Sequence, residues 1–297
     1  MYHGIMNVYK EPGYTSHDVV ARLRGILKQK KIGHTGTLDP AAEGVLPVCL
    51  GMGTRLCDML TDRTKTYEAV MLLGMTTDTQ DTTGQVLEDR HHAAMGLEEA
   101  AVTEAVLGFK GDYDQIPPMY SALKVDGKKL YELARAGKEV ERQARQVQIL
   151  EIRVDKVELP RVWMTVTCSK GTYIRTLCHD IGGKLGCGGC MEHLTRTRVD
   201  RFDIKDSLRL DEIERIRDEG GLDTCILPVE TALEGYAGLK VLPEADAFLY
   251  NGNPCFKGQL DAGNGCLDGL EDGLRFRMYD SKGHFVGVYE YQDSRHW

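Results

Sequence analysis

Asp39 lies in a stretch whose residue types could support chemistry, KIGHTGTLDPAAEGVLPVCLG at residues 31–51. A second carboxylate beside it would be typical of a glycosidase, and a neighbouring Ser or Cys would be typical of acyl transfer. The turn of His, Thr, Gly and Pro around Asp39 has neither. The acid is therefore a helix cap, a metal ligand, a general base or a nucleophile.

The local sequence favours the helix cap. Asp39 before Pro40 fits an N-cap followed by Pro at the first helical position, and Glu43 suits an early helical turn. Metal ligation has less support, because the acids of DTQDTTG at residues 78–84 lack the ligand spacing of an EF-hand loop. Local residues alone do not decide between capping and chemistry.

A second group of residues has the spacing of a zinc site. Cys187, Cys190 and His193 follow the pattern C-x2-C-x2-H, and Cys178 and His179 lie just upstream. The intervening glycines are equally typical of an ordinary glycine-rich loop. The sequence GMG at residues 51–53 lacks the third glycine of a dinucleotide fingerprint and indicates a turn.

Hydrophobic periodicity predicts the elements that position these residues. A helix is expected after Thr15 or Ser16, either of which can cap it, with apolar residues at helical spacing. Lys28, Lys30 and Lys31 fall at its C-terminal end, where they complement the helix dipole or contact phosphate.

Three strands and a second helix are predicted further along the chain. Strict alternation indicates a strand at Tyr67–Leu73, and two more are expected at Val147–Val154 and Val162–Cys168. The sequence KGTYIRTLCHDIG then changes to helical spacing. Arg175 is therefore expected in a first helical turn directly after a strand.

The segment from Ile116 to Arg145 is expected to leave the sheet as a long, positively charged excursion, helical over Leu130–Ala136. A further helix is predicted at Leu210–Glu219. Short glycine-rich strands follow, and we place a domain boundary near Gly235–Leu239, with domains at 1–236 and 237–297.

Composition sets the broad class. The 297 residues are 42% hydrophobic, which suffices for a packed core. The net charge of −8 argues against a general polyanion binder, but residues 1–66 and 120–175 are net positive while residues 203–297 carry the excess acid. Nine cysteines indicate reduced thiols rather than disulfides, and without an apolar span or a leader we expect a cytoplasmic protein.

Five ordered blocks of sequence resemble the motifs of the bacterial TruB-type tRNA pseudouridine synthases, from about residue 5 to residue 235. The blocks are GHTGTLDPAAEGVLPVCLG, KTYEAVMLLGMTTDTQDTTG, IPPMYSALKVDGKKLYELAR, CSKGTYIRTLCHDIG and HLTRTR. Five blocks in the same order are far more specific than one short motif. The remaining C-terminal piece is similar to the family's small PUA-like domain.

The resemblance implies an α+β fold, a mixed and largely antiparallel sheet flanked by helices, followed by the small β-rich domain. It implies isomerisation of a uridine in the tRNA T loop, position 55 by convention, without metal or cofactor. Asp39 matches the catalytic aspartate, Tyr67 the tyrosine that stacks on the target base, and Arg175 the arginine paired with the aspartate. Its substrate-binding counterparts are His34, Leu194, Tyr173 and Lys10, and the segment 116–145 matches a thumb, whose phosphate candidates are Lys124, Lys128, Lys129, Arg135 and Arg142.

These residue types suit the reaction. The enzyme must cut an N-glycosidic bond, turn the freed uracil and join its C5 to the sugar. No water enters, so the second carboxylate of a hydrolase is unnecessary. We expect a buried Asp39 kept ionised by Arg175, which attacks the sugar C1′ or the base C6 or assists a glycal, and we expect the Tyr67 hydroxyl to take the C5 proton.

The main prediction is therefore a tRNA-modifying isomerase that works as a monomer, without a guide RNA or a membrane. The alternative is a tRNA chaperone or RNA-binding module whose chemistry is incidental.

Overall fold

In the computed structural model, residues 1–61, 63–125, 127–261, 263 and 270–292 are described. The strands are β1 Gly4–Lys10, β2 Ile32–His34, β3 Glu43–Leu50, β4 Lys65–Leu73, β5 Met75–Thr77, β6 Val86–Asp89, β7 Gly111–Gln115, β8 Lys124–Val125, β9 Lys128–Lys129, β10 Arg145–Glu158, β11 Arg161–Cys168, β12 Gly189–Val199, β13 Phe202–Asp203, β14 Ile226–Leu227, β15 Ala237–Lys240, β16 Arg275–Tyr279 and β17 Phe285–Glu290. The α-helices are α1 Ser16–Ile26, α2 Cys57–Thr61, α3 His91–Met95, α4 Glu99–Leu107, α5 Leu130–Arg135, α6 Ile174–Lys184, α7 Leu210–Asp218 and α8 Asp246–Tyr250.

The large sheet runs in the order β1-β3-β12-β4-β11-β10-β7, with β2 added to β3 and β13 to β12. Its pairs are antiparallel except β3 with β12, which is parallel. The parallel register places Thr195 opposite Glu43 and Arg196 opposite Gly44. The predicted mixed, largely antiparallel sheet with flanking helices is confirmed.

Helix α1 forms where the sequence predicts it. Thr15 caps it, because its side chain accepts a hydrogen bond from the Asp18 backbone N–H while the Asp18 carboxylate accepts one from the Thr15 backbone N–H. The helix buries Val19, Val20, Leu23 and Ile26 against β1 and β3, in a cluster that α7 completes. The predicted helix at Leu210–Glu219 is α7.

A second core cluster lies around β4, β11, β12 and helices α4 and α6. In β4 the alternate residues Tyr67, Ala69, Met71 and Leu73 are buried, so the predicted strand and its inward face are confirmed. The predicted strand at Val147–Val154 is longer than expected, since β10 extends from Arg145 to Glu158.

The helix-cap alternative that the local sequence favoured for Asp39 is wrong, because no helix follows it. Residues after Asp39 lead directly into β3, whose sequence EGVLPVCL is buried from Gly44 to Leu50. A continuous run of apolar residues is stable as a strand when neighbouring strands and the core bury it on both faces. This tertiary burial outweighs the local capping signal, so Asp39 lies in a loop between β2 and β3.

The chain divides into two compact units, Met1–Ile226 and Leu227–Trp297. The smaller unit holds a sheet in the order β15-β16-β17 around a core of its own. We propose that the functional boundary lies between residues 236 and 237, because the first strand of this small sheet begins at Ala237. No helix among the described residues has the length and apolar character needed to cross a bilayer.

Candidate active site

The loop that carries Asp39 is fastened to the start of α1. The Leu38 backbone N–H donates to the Ser16 hydroxyl at 2.9 Å, and the Gly13 N–H donates to the Pro40 carbonyl at 2.9 Å. The Asp39 side chain keeps 39% of its surface exposed. The expectation of a buried carboxylate is therefore wrong for the free protein, in which the acid is partly exposed to solvent.

Arg175, in the first turn of α6, is bound to this carboxylate. Its Nε lies 2.8 Å from Asp39 Oδ2 and its Nη2 lies 3.3 Å from Asp39 Oδ1, which is the two-bond geometry of an arginine and a carboxylate. The remaining donors reach the carbonyls of Thr79, at 2.8 Å, and Tyr120, at 2.9 Å. Only 5% of the Arg175 side chain is exposed, so the guanidinium is fixed from three directions.

The loop DTQDTTG at residues 78–84 builds one wall of this arrangement. Asp81 accepts hydrogen bonds from the hydroxyls of Thr79 and Thr83 and from the Thr83 backbone N–H. Its other carboxylate oxygen lies 3.9 Å from Arg175 Nε. Sequence reasoning tested this loop only as a calcium site. Threonines two positions before and after an aspartate are typical of an Asx-type turn. This pattern was the feature of the sequence that could have identified the loop as an ordered part of the site.

Two buried cations, Lys10 and Arg196, hold the Asp39 loop by hydrogen bonds to its backbone carbonyls and to those of adjacent residues. The Lys10 ammonium donates to the carbonyls of Ala42 at 2.5 Å, Pro40 at 3.2 Å and Glu11 at 3.2 Å, and the side chain is fully buried. Burial lowers the pKa of Lys10 to about 8, although the nearby Asp39 opposes this shift. Lys10 therefore offers no group to a substrate in the free protein, and it supports the loop instead of contacting RNA as the sequence suggested.

Arg196 is the second of these cations, and in the sequence it stood out only as part of the basic motif HLTRTR. Its side chain donates from Nε to the Val45 carbonyl at 2.7 Å and from Nη2 to the Gly36 carbonyl at 3.4 Å. It also lies close enough to the Tyr67 hydroxyl to oppose the rise of that group's pKa. Gly44 lies so close to the Arg196 backbone that a Cβ would come within 2.3 Å of its carbonyl oxygen, at a φ of +105°. Only glycine fits this crossing of β3 and β12.

Tyr67 and Leu194 lie in the core cluster, together with Leu38. Burial raises the pKa of the Tyr67 hydroxyl, and the adjacent Arg196 opposes that shift. The phenol is therefore neutral near pH 7. Leu194 pairs with Ala69 across β12 and β4, which places it beside Tyr67.

His34 and Tyr173 belong to different elements, the end of β2 and the start of α6. The His34 ring meets the His17 ring edge to face, with centroids 5.8 Å apart, and burial lowers the pKa of His34, with the nearby His17 acting in the same direction. Tyr173 is the N-cap of α6, and Gln115 forms hydrogen bonds of 2.7 and 3.0 Å with its backbone N–H and carbonyl.

The predicted thumb forms the short hairpin β8–β9 and helix α5, which lies within the predicted helical range. Lys124 and Lys128 are exposed, whereas Lys129 and Arg135 both stack on the Tyr131 ring. Arg142 is already bound, at 3.2 Å from the Pro117 carbonyl and 3.3 Å from Glu139.

The cysteines predicted as an alternative zinc site are distributed differently. Cys187 and Cys190 are buried in the core, and the His193 ring lies 3.1 Å from Glu43. Among the described residues no three His, Cys, Asp or Glu side chains are grouped to hold a metal ion. The described cysteines are free thiols, and Cys266 lies outside the described residues.

Comparison with known proteins shows what this chain is similar to. The model for the N-terminal domain of the TruB family of pseudouridylate synthases matches residues 24–174, and that for the tRNA pseudouridylate synthase B C-terminal domain matches residues 175–234. A tRNA pseudouridine synthase B from Lachnoclostridium phytofermentans is 52% identical over 99% of this chain and 96% of its own. Another from Clostridium acetobutylicum is 40% identical over 96% and 94%.

A solved Cbf5-Nop10-Gar1 complex contains a chain with TM-score 0.74 and 28% identity, covering 98% of this chain and 78% of that one. A chain of an H/ACA RNP bound to a substrate RNA gives TM-score 0.72 and 26% identity with the same coverage. These matches confirm the fold and the family resemblance of the five motifs. The chain belongs to the TruB family of pseudouridylate synthases.

Proposed function

We propose that this pseudouridine synthase converts the uridine at position 55 of the tRNA T loop to pseudouridine, with Asp39 as its catalytic carboxylate. The observation that carries the proposal is the pairing of the partly exposed Asp39 with the buried Arg175. The guanidinium at 2.8 Å fixes the direction of the carboxylate, and a carboxylate oxygen is a group that can attack carbon. The relatives at 40–52% identity are named tRNA pseudouridine synthases.

The reaction breaks the bond from C1′ to N1 and forms one from C1′ to C5, while C5 loses a proton and N1 gains one. Asp39 acts on C1′, on C6 or in forming a glycal. Arg175 holds both carboxylate oxygens, so Asp39 is oriented before the base arrives. Since no water takes part, the flipped base can itself cover the exposed side of the carboxylate.

We propose that the flipped base binds at Tyr67 and Leu194, which are buried in the free protein and would have to be uncovered on binding. Stacking on the Tyr67 ring would be worth about 1–3 kcal/mol per base, with Leu194 as an apolar wall. Because the phenol is neutral, it first gives its own proton to N1 of the freed base. The phenolate, which Arg196 beside it favours, then takes the proton from C5. His34 and Tyr173 are proposed to contact the displaced T loop.

We further propose that the enzyme acts as a monomer in the cytoplasm. A guide RNA is not expected, since the H/ACA relatives are only 26–28% identical.

Tritium release from [5-³H]uridine in a T-arm hairpin tests the assignment. Asp39→Asn keeps the shape and removes the carboxylate, so we expect release to fall at least about 10⁴-fold, by analogy with losing a covalent nucleophile, with hairpin affinity unchanged. Tyr67→Phe in the same assay separates the hydroxyl from the ring. Release by Asp39→Asn at the parent rate would overturn the catalytic assignment, and tight binding without turnover in the parent protein would favour the chaperone alternative.

A further inference from the structure

The exposed side of α1 and the loop after it form a cationic surface that the reaction itself does not use. We name it the α1 ridge, and its members are Arg22, Arg24, Lys28, Lys30 and Lys31, which are all exposed. The ridge belongs to neither the thumb nor the Asp39 loop. Its position relative to the Asp39 loop is fixed by α1.

Helix α1 begins at the catalytic loop. The Ser16 hydroxyl forms hydrogen bonds with the Leu38 backbone N–H at 2.9 Å and with its carbonyl at 3.3 Å. The next residue, His17, stacks against His34. An RNA loop that reaches Asp39 therefore lies at the N-terminal end of α1, and whatever continues from that loop can follow the helix.

His17, Ala21 and Arg24 recur every three or four positions, so they form one exposed line along the helix. The line rises about 10 Å from His17 to Arg24, and Lys28, with a φ of 49°, begins the loop that carries the lysines beyond the helix. A Cβ placed on Gly25 beside this line would meet no heavy atom within 4 Å. The middle of the line therefore has no side chain that blocks the approach of a ligand. A histidine lies at one end of the line and cations lie at the other.

The positive charge of the ridge is not neutralised within the described chain. Arg22, Lys28, Lys30 and Lys31 form no ion pair or side-chain hydrogen bond among the described residues. Arg24 is partly used, since it donates to the carbonyls of Lys30 at 3.1 Å and Ile32 at 3.4 Å, which fixes the lysine loop.

Nearby acids are already bound. On the exposed side of α1, Asp18 forms the N-terminal capping box with Thr15. On the neighbouring α7, Glu214 and Asp218 are held by Arg217 at 3.2 and 2.7 Å. Interaction with the helix dipole favours cations only within the last turn. Lys30 and Lys31 lie beyond Ile26, the last residue of α1, so the dipole does not account for them.

We propose that the α1 ridge binds the phosphate backbone of the double-helical stem that carries the target loop. This inference rests on the proposed T-loop substrate. A duplex advances about 3 Å per base pair, so the helical line of about 10 Å spans roughly three base pairs, and the lysine loop continues beyond it. Point-charge lysines on an open surface suit phosphates without reading sequence. The thumb then grips the loop while the ridge holds the stem.

The experiment measures hairpin affinity against salt for a triple variant, Lys28→Gln with Lys30→Gln and Lys31→Gln. We expect the dissociation constant to rise about tenfold near 0.1 M salt, and the slope of log K against log salt to become shallower by about 2. The rate constant kcat at saturating hairpin should be unchanged. The matched control is Lys110→Gln with Arg153→Gln and Lys156→Gln, which removes equal charge at the β7–β10 edge of the sheet.

A second hairpin tests the assignment to the stem. Two hairpins are made, each with the stem phosphates of one strand replaced by neutral methylphosphonates. For one of the two, the parent protein should bind only as tightly as the triple variant binds the unmodified hairpin. That hairpin should not weaken the variant further. Equal salt slopes for parent and variant, equal losses in the control, or full additivity with both hairpins would each overturn the proposal. Loss of turnover in Asp39→Asn tests the proposed function separately.

Discussion

The Asp39 loop and the thumb both serve the same proposed RNA substrate, yet they are built in opposite ways. Two buried cations, Lys10 and Arg196, hold the backbone carbonyls of the Asp39 loop. In the thumb, Lys124 and Lys128 are exposed to solvent. Charge in the first region fixes the protein's own backbone, whereas charge in the second is left for a partner.

The difference shows that positive charge has two distinct uses in this chain. A buried cation must be surrounded by acceptors to offset its desolvation, so it makes the local backbone rigid. An exposed lysine contributes little to folding and remains available to phosphate. Substitutions in the two regions should therefore change different quantities, turnover or stability in the first and affinity in the second.

The largest effect is expected at Arg175. Arg175→Lys keeps the charge but loses the planar fork that binds both oxygens of Asp39 and two carbonyls. We expect kcat to fall about 10²–10³-fold, equivalent to roughly 3–4 kcal/mol, with hairpin affinity within about threefold. Arg161→Lys is the matched control, since Arg161 forms a similar two-bond pair with Glu192 and neither residue contacts Asp39 or Arg175 in the described structure. Turnover above one third of the parent rate in Arg175→Lys would contradict the comparison.

The next effect concerns stability and pH at Lys10. Burial lowers its pKa from 10.5 to about 8, so between these pH values the unfolded chain binds more protons at this residue than the folded one. Stability then rises with pH across that window. Relative to Lys10→Met, the parent protein should gain up to about 3 kcal/mol in unfolding free energy between pH 7.5 and 10.5.

Urea unfolding at both pH values measures this gain. The exposed Lys110→Met provides the control, for which the difference from the parent should not depend on pH. A pH-independent gap between parent and Lys10→Met would show that the ammonium beneath the Asp39 loop is not held in the way the structure indicates.

The smallest effect is expected in the thumb. Lys124→Ala combined with Lys128→Ala should raise KM for the hairpin about three- to tenfold, or roughly 1 kcal/mol, and leave kcat unchanged. Lys110→Ala combined with Lys205→Ala serves as a charge-matched control outside the thumb. A fall in kcat with KM preserved would place these lysines with the catalytic loop rather than with recognition.

Short-range patterns predicted much of the fold. The capping residue and apolar spacing of α1, the alternation of β4 and the helical turn carrying Arg175 are local properties, and all three are present. Asp39–Pro40 was misread because a capping signal is also local, while the burial of β3 between β1 and β12 is not. The four residues on either side of Asp39 contain no pattern that indicates the pairing of β3 with β1 and β12.

The supporting residues of the site were the least predictable. Arg196 and Arg198 both occur in the basic motif HLTRTR of β12, but only Arg196 is buried. The sequence does not show which of them faces the core, because this depends on how β12 pairs within the sheet. Lys10 and the loop around Asp81 likewise acquire their contacts from segments distant in sequence. Ordered motifs identified the groups proposed for chemistry, while the residues that hold them required three dimensions.

The half-open carboxylate of Asp39 has a consequence for when the protein can act. With 39% of its side chain accessible, the acid in the empty enzyme is hydrated, and its guanidinium partner covers one side only. Under the proposed function, the enclosure needed for reaction is completed by the nucleobase, which serves as the missing wall. The enzyme would then be competent for catalysis only in the complex with RNA. A short or wrongly bound RNA would leave the Asp39 carboxylate hydrated and inactive.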